Sequence, residues 1–153
     1  MKVRIILATL VCFFAGLALY AADPNLGTWK LNESKSKLPA SGAKNTLVVY
    51  TAAGDNVKVA VDGVDGSGKA FHSEWTGKYD GKDYPVTGDA ASDTRSYTKV
   101  DANTLSFVGK KGGKTVFSGK VVVAADGKTR TVTSEGADAS GKSIASTSFY
   151  DKQ

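Results

Sequence analysis

The feature that most constrains the fold is a series of short, apolar-rich runs separated by turn residues. After an opening run at residues 27–32, the runs occupy residues 45–52, 57–61, 69–79, 83–87, 93–100, 103–110, 114–124, 128–135 and 142–151. The intervening segments are rich in Asp, Asn and Gly, which adopt the turn conformations that close β-hairpins. About ten strands at a spacing of roughly 8–12 residues are typical of an all-β sandwich or barrel.

The connections between these runs indicate how the strands pair. Every link after Asn45 is short, so consecutive strands are expected to form an antiparallel up-and-down meander. An open sheet of this size leaves two exposed edges, whereas closure into a barrel removes both. The sequence therefore predicts a closed barrel, which encloses either packed side chains or a ligand cavity.

Two segments interrupt the regular pattern. Residues 33–44, which include Pro39 and Gly42, are predicted to form a linker or at most one helical turn. Residues 83–87 are predicted to form only a short strand, because Pro85 cannot donate a backbone hydrogen bond to a neighbouring strand.

The N-terminal segment has the features of a signal peptide. Lys2 and Arg4 precede an apolar run at residues 5–19, and Ala21 and Ala22 provide small residues for cleavage. A transmembrane anchor is the alternative, but a spanning helix needs about 20 apolar residues. We expect residues 1–22 to be removed, leaving residues 23–153 as a single domain that is exported to a periplasmic or extracellular location.

Cysteine usage and charge narrow the functional classes. The only cysteine, Cys12, lies in the predicted signal peptide, so the mature domain has no disulfide and no thiolate ligand. Without Lys2 and Arg4, 18 basic and 15 acidic side chains remain, a net charge of +3. The lysines are scattered among turns, which favours a solvated surface over a nucleic-acid interface. No membrane span is predicted in the mature protein.

Both ends of the mature chain resemble a known family. The Gly-Thr-Trp-Lys-Leu segment Gly27–Leu31 resembles the Gly-x-Trp opening of the calycins, which comprise the lipocalins, fatty-acid-binding proteins and avidins. The ending at residues 149–152 is similar to the last strand of fatty-acid-binding proteins. The longer opening, followed by Lys-Ser-Lys at residues 35–37, also resembles small exported bacterial proteins of unassigned function. The resemblance implies a lipocalin-like barrel in which Trp29 packs across one end.

The sequence departs from the fatty-acid-binding proteins at two places. Those proteins carry a two-helix lid after the first strand, where this chain has only about a dozen polar residues, too few for such a lid. They also hold the ligand carboxylate with an Arg-x-Tyr pair on the last strand. Ser148 and Tyr150 occupy those positions here, so Tyr150 is retained as a candidate ligand contact and the cationic partner is missing.

Arg95 and Tyr97 form the clearest candidate for a polar ligand contact. Because they are two residues apart, they share one face of a strand. On a lumenal face they would hold an anion, with the guanidinium as a fork and the phenol as a hydrogen-bond donor. The alternative is an outer face, with Lys99 beside them in water. The outer face is favoured because buried arginine is rare.

An aromatic stripe along residues 69–79 provides the apolar candidates. Alternation places Phe71, Ser73, Trp75, Gly77 and Tyr79 on one face, with Phe107 and Phe117 as possible neighbours. Such a stripe is ordinarily core. In a barrel the core is also the pocket wall, and the small residues of the stripe leave room for a cavity. The candidate ligand-binding residues are therefore Arg95, Tyr97, Phe71, Trp75 and Tyr150.

Catalytic and metal-binding patterns are not recognisable in the sequence. His72, the only histidine, shares a strand face with Glu74, and two groups do not make a zinc site. No nucleophile-elbow context accompanies the histidine. We expect no cofactor and no enzymatic activity. The prediction is a barrel that binds a small, partly apolar molecule; the alternative is an interaction protein with a packed interior that contacts partners through its hairpin tips.

Overall fold

The protein is an all-β barrel of ten antiparallel strands. The computed structural model describes residues 23–40, 42–137 and 141–153, so the predicted signal peptide lies outside the described residues. The strands are β1 (Gly27–Leu31), β2 (Lys44–Ala53), β3 (Asn56–Val64), β4 (Ala70–Gly77), β5 (Tyr84–Thr87), β6 (Thr94–Lys99), β7 (Thr104–Lys111), β8 (Lys114–Val123), β9 (Thr129–Ala137) and β10 (Ser143–Lys152). In the described part of the chain, no helix is long and apolar enough to cross a bilayer.

Each strand pairs with the next, and the first pairs with the last. The closing contact places Leu31 opposite Tyr150 and Trp29 opposite Lys152. The resulting strand order is a complete ring, so the sheet has no free edge. The predicted closed meander is confirmed.

The turn residues act as the sequence predicted. In the β8–β9 hairpin, Gly127 has a φ of +68°. The backbone N–H of Lys128 donates to the Asp126 carboxylate at 2.9 Å. A tight turn is stable when an aspartate side chain accepts a hydrogen bond from the backbone two residues later and a glycine between them adopts a positive φ.

The described residues between β1 and β2 contain a single short helical turn. Residues Glu33–Lys35 form a 3₁₀ turn whose N-cap is Asn32. Beyond it, the backbone of Lys37 forms an isolated bridge with Thr147 of β10. The segment therefore lies along the barrel rim, as expected for a linker with at most one turn.

β5 is the thinnest part of the ring. Only Glu74 and Trp75 of β4 pair with it on one side. On the other side, Thr94 and Arg95 of β6 pair with it. A proline is compatible with this interior position because so few backbone bonds are made there, and Pro85 itself faces Thr94.

The two ends of the barrel differ. At one end, which we call the floor, Trp29 is fully buried and its indole N–H donates to the Asn25 carbonyl oxygen at 2.7 Å. Leu105 and Val123, also fully buried, lie at this end of β7 and β8. At the other end, which we call the mouth, lie the β1–β2 linker and the β5–β6 loop.

Candidate functional site

A cavity of about 660 Å³ occupies the barrel interior. Its apolar wall is formed by inward-facing side chains of β2, β3, β4, β7, β8, β9 and β10: Val48, Val59, Val61, Phe71, Phe107, Val116, Phe117, Val121, Val132 and Ile144. Its lining also includes Leu38 and Pro39 of the linker and Asp89 to Ala91 of the β5–β6 loop. The cavity therefore extends from the floor to the loops of the mouth.

Arg95 points into the lumen, which corrects the favoured outward orientation. Its Nη2 donates to Asp89 Oδ2 at 2.8 Å, and the two side chains are only 13% and 14% exposed. The guanidinium also lies 5.2 Å from the centre of the Phe117 ring. A carboxylate partner and an aromatic face offset the loss of water around the charge, which explains why an arginine is tolerated inside the barrel.

Asp89 organises the polar side of the mouth. The same Oδ2 atom that accepts from Arg95 also accepts from the hydroxyl of Ser92 at 2.6 Å. Its Oδ1 accepts the backbone N–H of Ala91 at 2.8 Å. These bonds tie the β5–β6 loop to itself and to the start of β6, so the loop forms a defined part of the cavity wall.

Tyr97 lines the cavity as well, whereas Trp75 lies behind the wall. Trp75 is buried and its indole N–H donates to the Arg95 carbonyl oxygen at 2.9 Å. Its ring meets Tyr97 edge-on, with centroids 4.8 Å apart. Among the predicted ligand contacts, Trp75 therefore supports Tyr97 and the backbone of β6 instead of facing the cavity.

The small residues of the aromatic stripe have two different environments. Ser73 is buried and lines the cavity, as expected from the room it leaves. The space beside Gly77 is already filled, since a Cβ added there would lie 2.6 Å from ring atoms of Trp75 and Tyr84. The glycine allows two rings to pack against the backbone and contributes no open volume.

Phe71 and Tyr150, the remaining predicted contacts, both face the cavity. Phe71 is half-buried. Tyr150 is buried, its hydroxyl donates to the Asn45 carbonyl oxygen at 3.0 Å, and burial raises the pKa of that hydroxyl. Burial likewise raises the pKa of the Tyr50 hydroxyl, and the neighbouring Tyr97 raises it further. Tyr50 and Tyr150 therefore remain neutral at physiological pH.

Arg130 is a lumenal residue that the sequence analysis did not predict. It is only 2% exposed and lines the cavity at the start of β9. Its guanidinium carbon lies 4.8 Å, 4.9 Å and 4.8 Å from the ring centres of Trp29, Tyr50 and Tyr150. Its Nε and Nη1 atoms have no hydrogen-bond partner among the described residues, and no carboxylate of those residues pairs with it.

A signal for Arg130 is present in the sequence. Thr129, Thr131 and Thr133 alternate with the lining residues of β9 and lie on the face opposite the cavity. Val132 and Ser134 share the inner face with Arg130, and all three line the cavity. An apolar residue two positions after an arginine, in a strand whose other face begins with three threonines, indicates an inward arginine.

His72 lies on the outer surface, next to Glu74 as predicted. Its ring nitrogens contact Asp62 Oδ1 at 2.6 Å and Glu74 Oε1 at 3.4 Å, and its side chain is 54% exposed. Hydrogen bonding to Asp62, with a second contribution from Glu74, raises the pKa of the imidazole. Across the described residues, no three His, Cys, Asp or Glu side chains are grouped closely enough to hold a metal ion.

No protein-family model matches the chain, and no curated protein sequence matches it. A solved structure of EF1p2_mFAP2b bound to DFHBI is similar, with a TM-score of 0.48 and 11% sequence identity. The alignment covers 87% of this chain and 97% of that one.

Proposed function

We propose that the protein is an exported, non-enzymatic binding protein that holds a small, partly apolar molecule inside its barrel. The observation that carries the proposal is the cavity of about 660 Å³ enclosed by the ring of strands. Small-molecule sites are concave, mostly apolar, about 300–1,000 Å³ in volume, and carry a few polar groups that orient the ligand. The valines and phenylalanines of the lumen would provide the apolar wall, and the arginines and tyrosines the polar groups.

The ionisable groups of the lumen favour binding over catalysis. The described lining contains one aspartate, two arginines and three tyrosines. The aspartate is engaged with Arg95 at 2.8 Å, so it is a poor general base. Tyr50 and Tyr150 have raised pKa values, which disfavours the phenolate form. A hydrolytic or proton-transfer site requires converging acids, bases or nucleophiles, and this set does not provide them.

The alternative of an interaction scaffold has less support. It depends on a packed interior and a coherent apolar surface patch. The interior contains a cavity instead, and the large apolar side chains exposed on the described surface are Val100 at 57% and Val122 at 44%. Two valines do not make an aromatic or extended docking surface.

A pair of tryptophan substitutions on adjacent residues of β9 tests the proposal. Ser134 lines the cavity and Thr133 is exposed on the other face. We expect the uncharged probe N-phenyl-1-naphthylamine to bind the native protein with increased fluorescence. Ser134→Trp should fill the lumen and weaken that binding by about tenfold or more, equivalent to about 1.4 kcal/mol. Thr133→Trp should bind the probe like the native protein. Equal binding by both variants would contradict a lumenal site.

A further inference from the structure

The charge of Arg130 points to the chemical class of the ligand. We propose that the lumen binds an amphiphilic organic anion: an apolar body carrying one carboxylate, sulfonate or phosphate-ester group, which is directed toward Arg130 at the floor. This inference rests on the proposed binding function and adds the sign and location of the ligand's charge.

The lumen carries an excess positive charge. Its described lining has two arginines and one aspartate. Asp89 neutralises Arg95 through the 2.8 Å contact at the mouth, whereas no carboxylate of the described residues pairs with Arg130. The described lining therefore has a net charge of +1, located at Arg130. In a medium of low dielectric constant, a charge of opposite sign is attracted much more strongly than it is in water.

The surroundings of Arg130 satisfy its charge only in part. Three aromatic rings, those of Trp29, Tyr50 and Tyr150, attract the cation through their faces. Ring faces do not replace hydrogen bonds to the guanidinium, and Nε and Nη1 form none with the residues that the structure describes. A buried polar group without a partner is rare in folded proteins and calls for an explanation such as a missing ligand. An anionic group at the floor supplies the opposite charge.

The cavity wall has a polar side that ends at Arg130 and an apolar side, as an amphiphilic ligand requires. From mouth to floor, β9 and β10 pair Ser134 with Ser146, then Val132 with Ser148, then Arg130 with Tyr150. Serine hydroxyls therefore lead along one wall to the guanidinium, and the hydroxyls of Ser146 and Ser134 are 3.4 Å apart. Valines and Phe71 of β2, β3 and β4 form an apolar part of the wall.

Two probes that differ in charge test the proposal directly. 8-Anilino-1-naphthalenesulfonate and N-phenyl-1-naphthylamine share one aromatic skeleton, and only the first carries a negative charge. We expect the native protein to bind the sulfonate about tenfold more tightly than the uncharged amine, since hydrogen bonds to charged groups in a desolvated site are worth about that factor. Ser134→Trp should weaken the binding of both probes, because both occupy the lumen.

Substitution of Arg130 locates the charge recognition. Arg130→Met replaces the arginine with an uncharged, apolar side chain of similar length. We expect this variant to bind the sulfonate about tenfold more weakly than the native protein does and to bind the amine with unchanged affinity. The matched control is Lys120→Met, which makes the same change of charge and residue type at an exposed site of β8 that does not line the cavity. It should keep the preference for the sulfonate. Circular dichroism checks that each variant retains its β structure.

The possible outcomes separate the two proposals. If neither probe binds the native protein, the binding function itself fails. If both probes bind in the lumen with equal affinity, the binding function stands and the anionic class is wrong. The same conclusion follows if Arg130→Met keeps the preference. Should Arg130→Met not fold, the affinity ratio of the two probes in the native protein still tests the anionic class. Arg130→Lys keeps the positive charge, so we expect it to retain the preference for the sulfonate.

Discussion

The two lumenal arginines show two ways of holding a charge inside a barrel. Arg95 has a carboxylate at 2.8 Å and one ring face, so its charge is compensated within the fold. Arg130 has three ring faces and, within the described part of the chain, no carboxylate partner. Desolvating an ion costs on the order of several kcal/mol, and each cation–π contact returns about 0.5–2 kcal/mol. Arg130 is thus anchored in place with part of its electrostatic potential available to a ligand.

The single histidine gives a pH-dependent test at the residue scale. The hydrogen bond that the imidazole donates to Asp62, with that to Glu74 second, raises the pKa of His72 above its ordinary value of about 6.5. A raised pKa means that the protonated imidazole is favoured in the folded state. Its contribution to stability is therefore complete below the unfolded pKa and is lost as the pH rises through the folded value.

Proton NMR titration of the one imidazole measures this shift without ambiguity of assignment. We expect a midpoint above the ordinary value in the native protein. Asp62→Asn should lower the midpoint, and Lys99→Ala, a change at an exposed site on β6, should leave it unchanged. A native midpoint at or below the ordinary value would show that the contacts with Asp62 and Glu74 do not persist in solution.

Sequence reasoning identified lumenal residues unevenly, for a physical reason. Arg95 and Tyr97 were recognised as a pair because they share a strand face, but the rarity of buried arginine favoured the wrong face. Asp89, which makes burial acceptable, follows Gly88 in a loop, and its approach to Arg95 is a tertiary event. Arg130 was overlooked because its three aromatic neighbours come from strands far apart in the sequence.

At the scale of elements, hairpin turns determined most of the fold. The Asp/Asn/Gly segments fixed the number of strands and their order, and each strand of the structure overlaps a predicted run. Strand faces were less predictable where both are apolar, as at Leu47 to Tyr50. There Val48 and Tyr50 face the lumen and line the cavity. The register that decides this is set by pairing with Val61 and Val59 of β3, not by the run itself.

The short strand β5 is the element expected to open most readily. It has two paired residues on each side, whereas β9 and β10 share nine pairs. Local opening is easiest where few backbone bonds and few buried contacts must be lost. We expect the amides of Val86 and Thr87 to exchange with solvent deuterium faster than those of Val132 and Ser148. Equal protection at the four amides, measured by NMR, would contradict a weak point in the ring at β5.

At the scale of the whole molecule, closure of the ring creates the site. Trp29 lies near the start of the described chain, Tyr150 near its end, and Arg130 between them, yet the three are in contact because β1 pairs with β10. The sequence predicted the closure from the disadvantage of exposed sheet edges. It did not predict whether the interior would be filled, because that depends on the volumes of side chains contributed by nearly every strand.

The most direct test of a ligand-binding lumen is to locate a bound probe by intermolecular nuclear Overhauser effects. With N-phenyl-1-naphthylamine added to the labelled protein, we predict contacts from the probe to the methyl groups of Val59, Val61 and Val132, which line the cavity. Contacts confined to Val100 and Val122, the exposed large apolar side chains of the described surface, would show that the probe binds outside the barrel and would contradict the account.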